Sequence, residues 1–228
     1  MKYKAVLFDL FGTLVDNFTH SEYESVLAEM ALVVNVPRAD FIRIWRETFI
    51  ERNIGTHPTP QYSLNYICKQ MNVKVTDEQI ESATDIRLGY TLRSLEPRSD
   101  SIATIKQLRS GGFKTGIISD CTGDIPMVWE RTKFTGVFNV TVFSCEVNTK
   151  KPDPKIYRIA TERLAVTPRE CLFVGDGGSG ELTGAREVGM SPVLIRDPDE
   201  GEYNFTEREY DWEGPRIDYL REVLNLVK

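Results

Sequence analysis

The chain has 228 residues, with 28 Lys and Arg against 34 Asp and Glu, and a formal net charge of −6. Interspersed charge with an acidic excess argues against non-specific nucleic-acid binding and against attraction to an anionic membrane, so an anionic ligand must be met by a local site. The length suits one large domain, or one domain carrying a smaller insertion.

The first predicted element is a strand at "AVLFD" (5–9). It is cut off by Asp9 too early for a signal sequence, and no apolar run in the chain is long enough for a transmembrane helix. Residues 17–96 then read as amphipathic helices: "SEYESVLAEMALVV", "ADFIRIWRETFIER", "QYSLNYICKQM" and "TDEQIESATDIRLGYTL", with Pro-containing breaks near "NVP", "THPTP" and "LEPRSD". Four more short apolar runs follow, "KTGIIS" (114–119), "VTVFS" (140–144), "CLFVGD" (171–176) and "SPVLIR" (191–196). Near-continuous apolar strands of this kind are buried on both faces, as in a parallel sheet. "DPKIYRI" and "ATERL" between them keep helical spacing, and "TPRE" (167–170) is a capping box. The last predicted helix is "PRIDYLREVLNLV", with Ile217, Leu220, Leu224 and Val227 on one face.

This pattern predicts an α/β fold, a Rossmann-like, mainly parallel sheet core with an inserted α-helical domain. The core takes residues 1–16 and 97–228, and the insertion, residues 17–96, reads as a lid. Cys68, Cys121, Cys145 and Cys171 contain no C-x-x-C pair and read as free thiols in a reducing, cytoplasmic setting. His20 and His57 are read as exposed and not as metal ligands, and the three tryptophans as packing.

Ligands of open α/β sheets gather beyond the carboxyl ends of the strands. The polar residues there are Asp9 with Thr13, Ser119 with Asp120, Lys151 in "KKPDP", and Asp176 with Glu181. Singly, each is also a turn former, a cap or an exposed charge. In this order they make one chemistry. A carboxylate can attack phosphorus or carbon to form an ester that water later cleaves. Two anions must then approach, which calls for Lys151 and for a Mg²⁺ held by Asp9 and Asp176. Thr13, Ser119 and turn N–H groups would hold the oxygens of the transferred group.

The set "DLFGT", "IISD", "KPDPKIY" and "FVGDGGSGELTGAREVGM" resembles the four motifs of the haloacid dehalogenase-like hydrolase superfamily, in the branch with a helical (C1-type) cap. The resemblance covers essentially the whole chain. It implies Asp9 as nucleophile, Ser119 and Thr13 on the transferring group, and Lys151 as the neutralising cation. It implies Mg²⁺ held by Asp9, the Phe11 backbone carbonyl, Asp176 and Glu181. Gly12 and Asp120 would lie against the substrate, and Arg46 of "RIWRETF" is a cap candidate for the same task. The partner implied is a small phosphorylated molecule, with no nucleic acid and no membrane, for a monomer or homodimer.

Three departures matter. Phosphatases of that family usually carry a second Asp two residues after the nucleophile, where this chain has Phe11; motif two usually reads Ser-Asn, here Ser119-Asp120; and Glu181 stands for the more usual Asp. The missing acid would protonate the leaving oxygen and activate water, help typically worth about 10²–10⁴-fold. Acyl phosphates, aryl phosphates or halide need it least. The 2-haloacid dehalogenases of the superfamily, which need no metal, carry an aromatic residue at this position, so a dehalogenase is the alternative, with a catalytically silent binder behind it. The retained acids of "VGDGGSGE" favour the metal-dependent phosphatase, because without a cation they would repel both Asp9 and an anionic haloacid. "GDGGSG" (175–180) also fits a dinucleotide fingerprint with Asp197 at the expected distance, but too little chain follows for the usual two halves, and Asp176 would face the pyrophosphate. Cys121 lies next to motif two and reads as incidental.

Overall fold

The computed structural model describes residues 2–196 and 208–228. Strands β1 (Ala5–Phe8), β2 (Lys114–Ser119), β3 (Val140–Phe143), β4 (Cys171–Gly175), β5 (Ser191–Ile195) and β6 (Arg216–Ile217) form an all-parallel sheet in the order β3-β2-β1-β4-β5-β6. The five apolar runs are β1 to β5. Along β1, Val6 and Phe8 enter one apolar cluster while Ala5 and Leu7 enter another on the opposite face. That is the alternation a strand shows when both sheet faces are covered.

Between β1 and β2 lie five helices, α1 (His20–Val33), α2 (Arg38–Glu47), α3 (Phe49–Asn53), α4 (Pro60–Gln70) and α5 (Asp77–Ser94). They share an apolar cluster of their own around Leu27, Met30, Phe41, Trp45, Leu64 and Ile67. Thr19, Thr59 and Thr76 cap α1, α4 and α5, the last in a capping box with Gln79. The chain leaves and returns at one place. Val15 pairs antiparallel with Pro97, and the Arg98 N–H and Ser101 hydroxyl donate to the Leu14 carbonyl at 2.9 and 2.8 Å. After it come α6 (Ser101–Ser110), α7 (Asp124–Val128), α8 (Ser144–Val147), α9 (Pro154–Leu164), α10 (Glu181–Glu187) and α11 (Val223–Leu226).

Two helix readings need correction. "ADFIRIWRETFIER" is two helices because Thr48 turns its hydroxyl back to the Ile44 carbonyl (2.9 Å) and accepts from Arg52 Nη1 (2.7 Å). The C-terminal helix is confined to Val223–Leu226 after a 3₁₀ turn, because the sheet edge captures the segment before it. Leu194 N–H donates to the Pro215 carbonyl and Arg196 N–H to that of Ile217, both at 3.0 Å. The "TPRE" box is present and caps a single 3₁₀ turn. Among the described residues no helix is long and apolar enough to cross a membrane, and all four cysteines are free and buried. The expected exposure of His57 is wrong. It is buried against Tyr62 and Tyr66, with ring centroids 5.0 and 4.7 Å away, and burial, then Arg52, lowers its pKa.

Candidate active site

The strand order reverses beside β1: β2 and β3 lie to one side, β4 to β6 to the other. That crevice is where open α/β sheets bind ligands. Phe8 is in register with Ile117 of β2 and Val174 of β4, which sets Asp9, Ser119 and Asp176 at the carboxyl ends of three adjacent strands. The ladder continues one step further, Asp9 N–H donating to the Val174 carbonyl at 2.9 Å.

Asp9, Lys151, Asp176 and Glu181 are all buried. Lys151 Nζ donates to Asp9 Oδ1 and, at 2.5 Å, to Glu181 Oε2. Asp9, Asp176 and Glu181 each offer an oxygen within 4.8 Å of the others. Burial, partly opposed by Lys151, pushes the Asp9 carboxyl up to about 6. Burial, then Asp9, drives Glu181 well above the carboxylate range. Burial alone would lower the Lys151 ammonium, but Asp9 and Glu181 outweigh it and hold it high. Three crowded carboxylates, all hard oxygen donors, form a set that suits a small divalent cation such as Mg²⁺.

The loops fix this geometry. Gly12 has φ +76° and room for no side chain, since a Cβ there would sit 2.3 Å from Asp176 Oδ2. The hydroxyls of Thr13 and Ser119 are buried with no hydrogen-bond partner among the described residues, available for oxygens of a bound group. Asp120 accepts the Lys151 backbone N–H at 2.9 Å. The "GDGGSG" loop does run from β4 to α10, but two of its N–H groups are turned onto the chain's own acids. Gly177 donates to Glu181 and Gly178 to Asp176, both at 2.9 Å, which takes them from a pyrophosphate. Asp197 lies outside the described residues.

Phe11 sits against the helical insertion. Its ring centroid is 4.4 Å from that of Phe18, which in turn stacks on Tyr90 at 5.8 Å. Asp9, Lys151, Phe11, Phe18 and Tyr23 are among the walls of a cavity of about 370 Å³ between the sheet edge and the insertion. Arg46 is on its wall too, but its guanidinium reaches Glu24 at 2.5 Å and lies 3.2 Å from His20 Nε2. Cys121 lines the cavity as a thiol that burial, then Cys145, holds well above its ordinary pKa, the reverse of an activated nucleophile.

Three residues escaped the sequence reading. Arg208 pairs with Asp176 Oδ2 at 2.8 Å. Glu209 beside it accepts the Leu182 and Thr183 N–H groups at the start of α10. Arg87 of α5, on the cavity wall, forms a buried ion pair with Asp124 of α7 at 2.8 Å. Nothing local marks them, since each acts across the chain.

The profile of the haloacid dehalogenase-like hydrolase family matches residues 3–189. A glyceraldehyde 3-phosphate phosphatase of Methanopyrus kandleri is 31% identical over 236 residues, covering 99% of this chain and 97% of its own. (S)-2-haloacid dehalogenase 4A of Burkholderia cepacia is 26% identical over 215 residues, 89% of this chain and 87% of that one. Among solved structures, a HAD phosphatase from Thermococcus onnurineus gives a TM-score of 0.63 at 26% identity, with 98% of this chain and 97% of that one covered. With the family profile matched over most of its length, the chain is an enzyme that belongs to the haloacid dehalogenase-like hydrolases.

Proposed function

We propose that the protein is a Mg²⁺-dependent phosphatase of small phosphorylated metabolites, with the insertion, residues 17–96, serving as its cap. The observation that carries this reading is the buried cluster of Asp9, Lys151, Glu181 and Asp176, together with the hydroxyls of Thr13 and Ser119, which have no hydrogen-bond partner among the described residues. Asp9 attacks phosphorus. A bond forms from its carboxylate oxygen to phosphorus as the bond to the leaving oxygen breaks, giving an aspartyl-phosphate. Water then attacks phosphorus, the Asp9 oxygen leaves, and inorganic phosphate is released. Lys151 holds positive charge beside Asp9, and the hydroxyls of Thr13 and Ser119 donate to phosphoryl oxygens. A divalent cation held by Asp9, Asp176, Glu181 and the Phe11 carbonyl would supply the charge that lets the two anions approach. Phe11 has no proton to give, so leaving groups stable as anions are favoured over simple alkyl alcohols.

The relative from Methanopyrus kandleri supports phosphoryl chemistry, and phosphate release from acetyl phosphate tests it, in Mg²⁺ and in EDTA, with Asp9→Asn as blank. Release that needs both the metal and Asp9 is expected. No release above the blank, together with halide release from a 2-haloacid in EDTA, would establish the second reading. That reading rests on the aromatic Phe11 and on the dehalogenase relative. Against it stands the cluster of Asp9, Asp176 and Glu181, an oxygen-donor set that a metal-independent attack on carbon does not require.

A further inference from the structure

The cap side of the cavity holds a guanidinium that lies over the rings of Tyr23, Trp45 and Tyr90, at 5.1, 5.8 and 5.7 Å, and keeps one hydrogen-bonding edge open. Arg87 is buried, its side chain 4% exposed, and both Nε and Nη2 lie 2.8 Å from Asp124 Oδ2. Asp124 is itself locked. It accepts from the Thr91 hydroxyl at 2.5 Å and from the Thr122 hydroxyl, so the fork cannot swing. In a planar guanidinium the edge made by Nε and Nη2 is then consumed, and Nη1 lies on the other edge. Arg87 Nη1 is buried with no hydrogen-bond partner among the described residues, and Arg87 lines the cavity that Asp9 and Lys151 also line. An unsatisfied buried charged donor in a native structure calls for an explanation.

The charge balance points the same way. Arg52, also buried, bonds to the Trp45 carbonyl and to Thr48 Oγ1, and among the described residues no carboxylate lies within ion-pair distance of it. Burial lowers its pKa to about 10, and Arg87 adds to that, yet it stays charged at neutral pH. Of these two buried cations only Arg87 has a carboxylate partner, Asp124. Arg46 does not serve the cavity in the same way, because its charge is spent on Glu24.

Given the phosphatase reading above, on which this rests, we infer that Arg87 is a substrate-binding residue and that the substrate carries a second anionic group, a carboxylate, at the end remote from its phosphoryl group. The phosphoryl end lies against Lys151, Thr13 and Ser119, and the carboxylate accepts from Arg87 Nη1, completing the fork's hydrogen bonds. Asp124 is then a positioning residue that aims the guanidinium.

The test is calorimetric and needs no turnover. Phosphonoacetate, 3-phosphonopropionate and 4-phosphonobutyrate are titrated into the Mg²⁺-supplemented protein, against ethyl-, propyl- and butylphosphonate. At least one carboxylated chain length should bind tenfold or more tightly than its neutral match. In Arg87→Met/Asp124→Asn, which avoids leaving Asp124 charged and unpaired, the preference should fall below threefold while neutral phosphonates bind as before. Equal affinity across every matched pair in the unaltered protein overturns the inference without recourse to a variant, as does a preference retained in the double variant. If neither series nor inorganic phosphate binds, the phosphatase reading falls and this inference with it. Neutral phosphonates that bind with no preference for the carboxylate sink the Arg87 assignment alone.

Discussion

Replacing Asp9 by Asn should stabilise the metal-free protein at alkaline pH, although it removes the proposed nucleophile. Burial raises the Asp9 carboxyl from its ordinary 3.8 to about 6, against the pull of Lys151 and with a further push from Asp176. The native state therefore binds this proton more tightly than the unfolded chain does. That contribution to stability is complete below pH 3.8, fades as the pH passes through 6, and is absent at pH 8. A shift of about 2 units at 1.36 kcal/mol each makes the ionised carboxylate cost the native state about 3 kcal/mol at pH 8. Asn carries no charge there and keeps an oxygen that can accept from Lys151 Nζ, but the weaker bond takes back part of the gain. Asp9→Asn should thus be more stable than the parent by about 1–3 kcal/mol at pH 8, or about 2–12 °C in Tm for a chain of this size. The advantage should disappear below pH 4. Urea unfolding in EDTA from pH 4 to pH 8 measures it. A variant no more stable than the parent at pH 8 would refute the argument that this site stores electrostatic strain. Adding Mg²⁺ should then raise the parent more than the variant, by the linkage of binding to folding.

Three other outcomes follow from the same geometry. Lys151→Gln leaves Asp9 and Glu181 without their shared cation and should cost about 3–5 kcal/mol at pH 8. Because the pKa values of Asp9 and Glu181 are both raised, that loss should shrink toward pH 5, where they take up protons, and urea midpoints at the two pH values decide it. Gly12→Ala drives a Cβ into Asp176 at a positive φ, and should weaken Mg²⁺ binding by tenfold or more in a direct titration, with a folded circular dichroism spectrum retained. On the proposed mechanism, Phe11→Asp places a titratable proton where the leaving group would sit and should raise kcat for ethyl phosphate by about 10²-fold, the lower end of general acid–base help. No gain in a folded, metal-binding variant would mean that position 11 does not face the leaving oxygen.

The strand ends were legible in the sequence for a definite reason. A strand buried on both faces must be apolar throughout, so the first polar residue after it marks the sheet edge. Asp9, Ser119 and Asp176 stand out on that ground alone. The order of the strands then brings together residues as far apart as Asp9 and Lys151, a meeting that local pattern does not display and that is reached only by asking what cation the carboxylate chemistry needs, with the family resemblance beside it. Where local pattern competed with a distant partner, it misled. The C-terminal apolar spacing is helical, yet β5 has unpaired backbone groups that take Arg216–Ile217 as an edge strand. His57 has a polar side chain in a Pro-rich turn, yet Tyr62 and Tyr66 enclose it. Arg46 and Arg87 look alike as helical charges, and only packing shows that the first is tied to Glu24 outside while the second is buried on Asp124.

Phe11 ties these threads together, because one residue serves two neighbours with different demands. On the chemical side, it removes a proton donor from the loop that carries Asp9. On the structural side, its ring lies 4.4 Å from Phe18, at the point where the chain enters the helical insertion, and Phe18 continues to Tyr90 on α5, one turn from Arg87. An Asp at this position would add acid–base help and break that aromatic wall, burying a carboxylate against Phe18 at the cost such burial carries. Substrates that leave as anions do not need the proton, whereas any substrate held at Arg87 depends on the wall that positions α5 over the cavity. The substitution is therefore coherent for an enzyme whose leaving groups are good and whose selectivity is set from the helical side. The two effects should separate in one variant: Phe11→Asp gains in kcat on an alkyl phosphate while losing affinity for a carboxylated phosphonate.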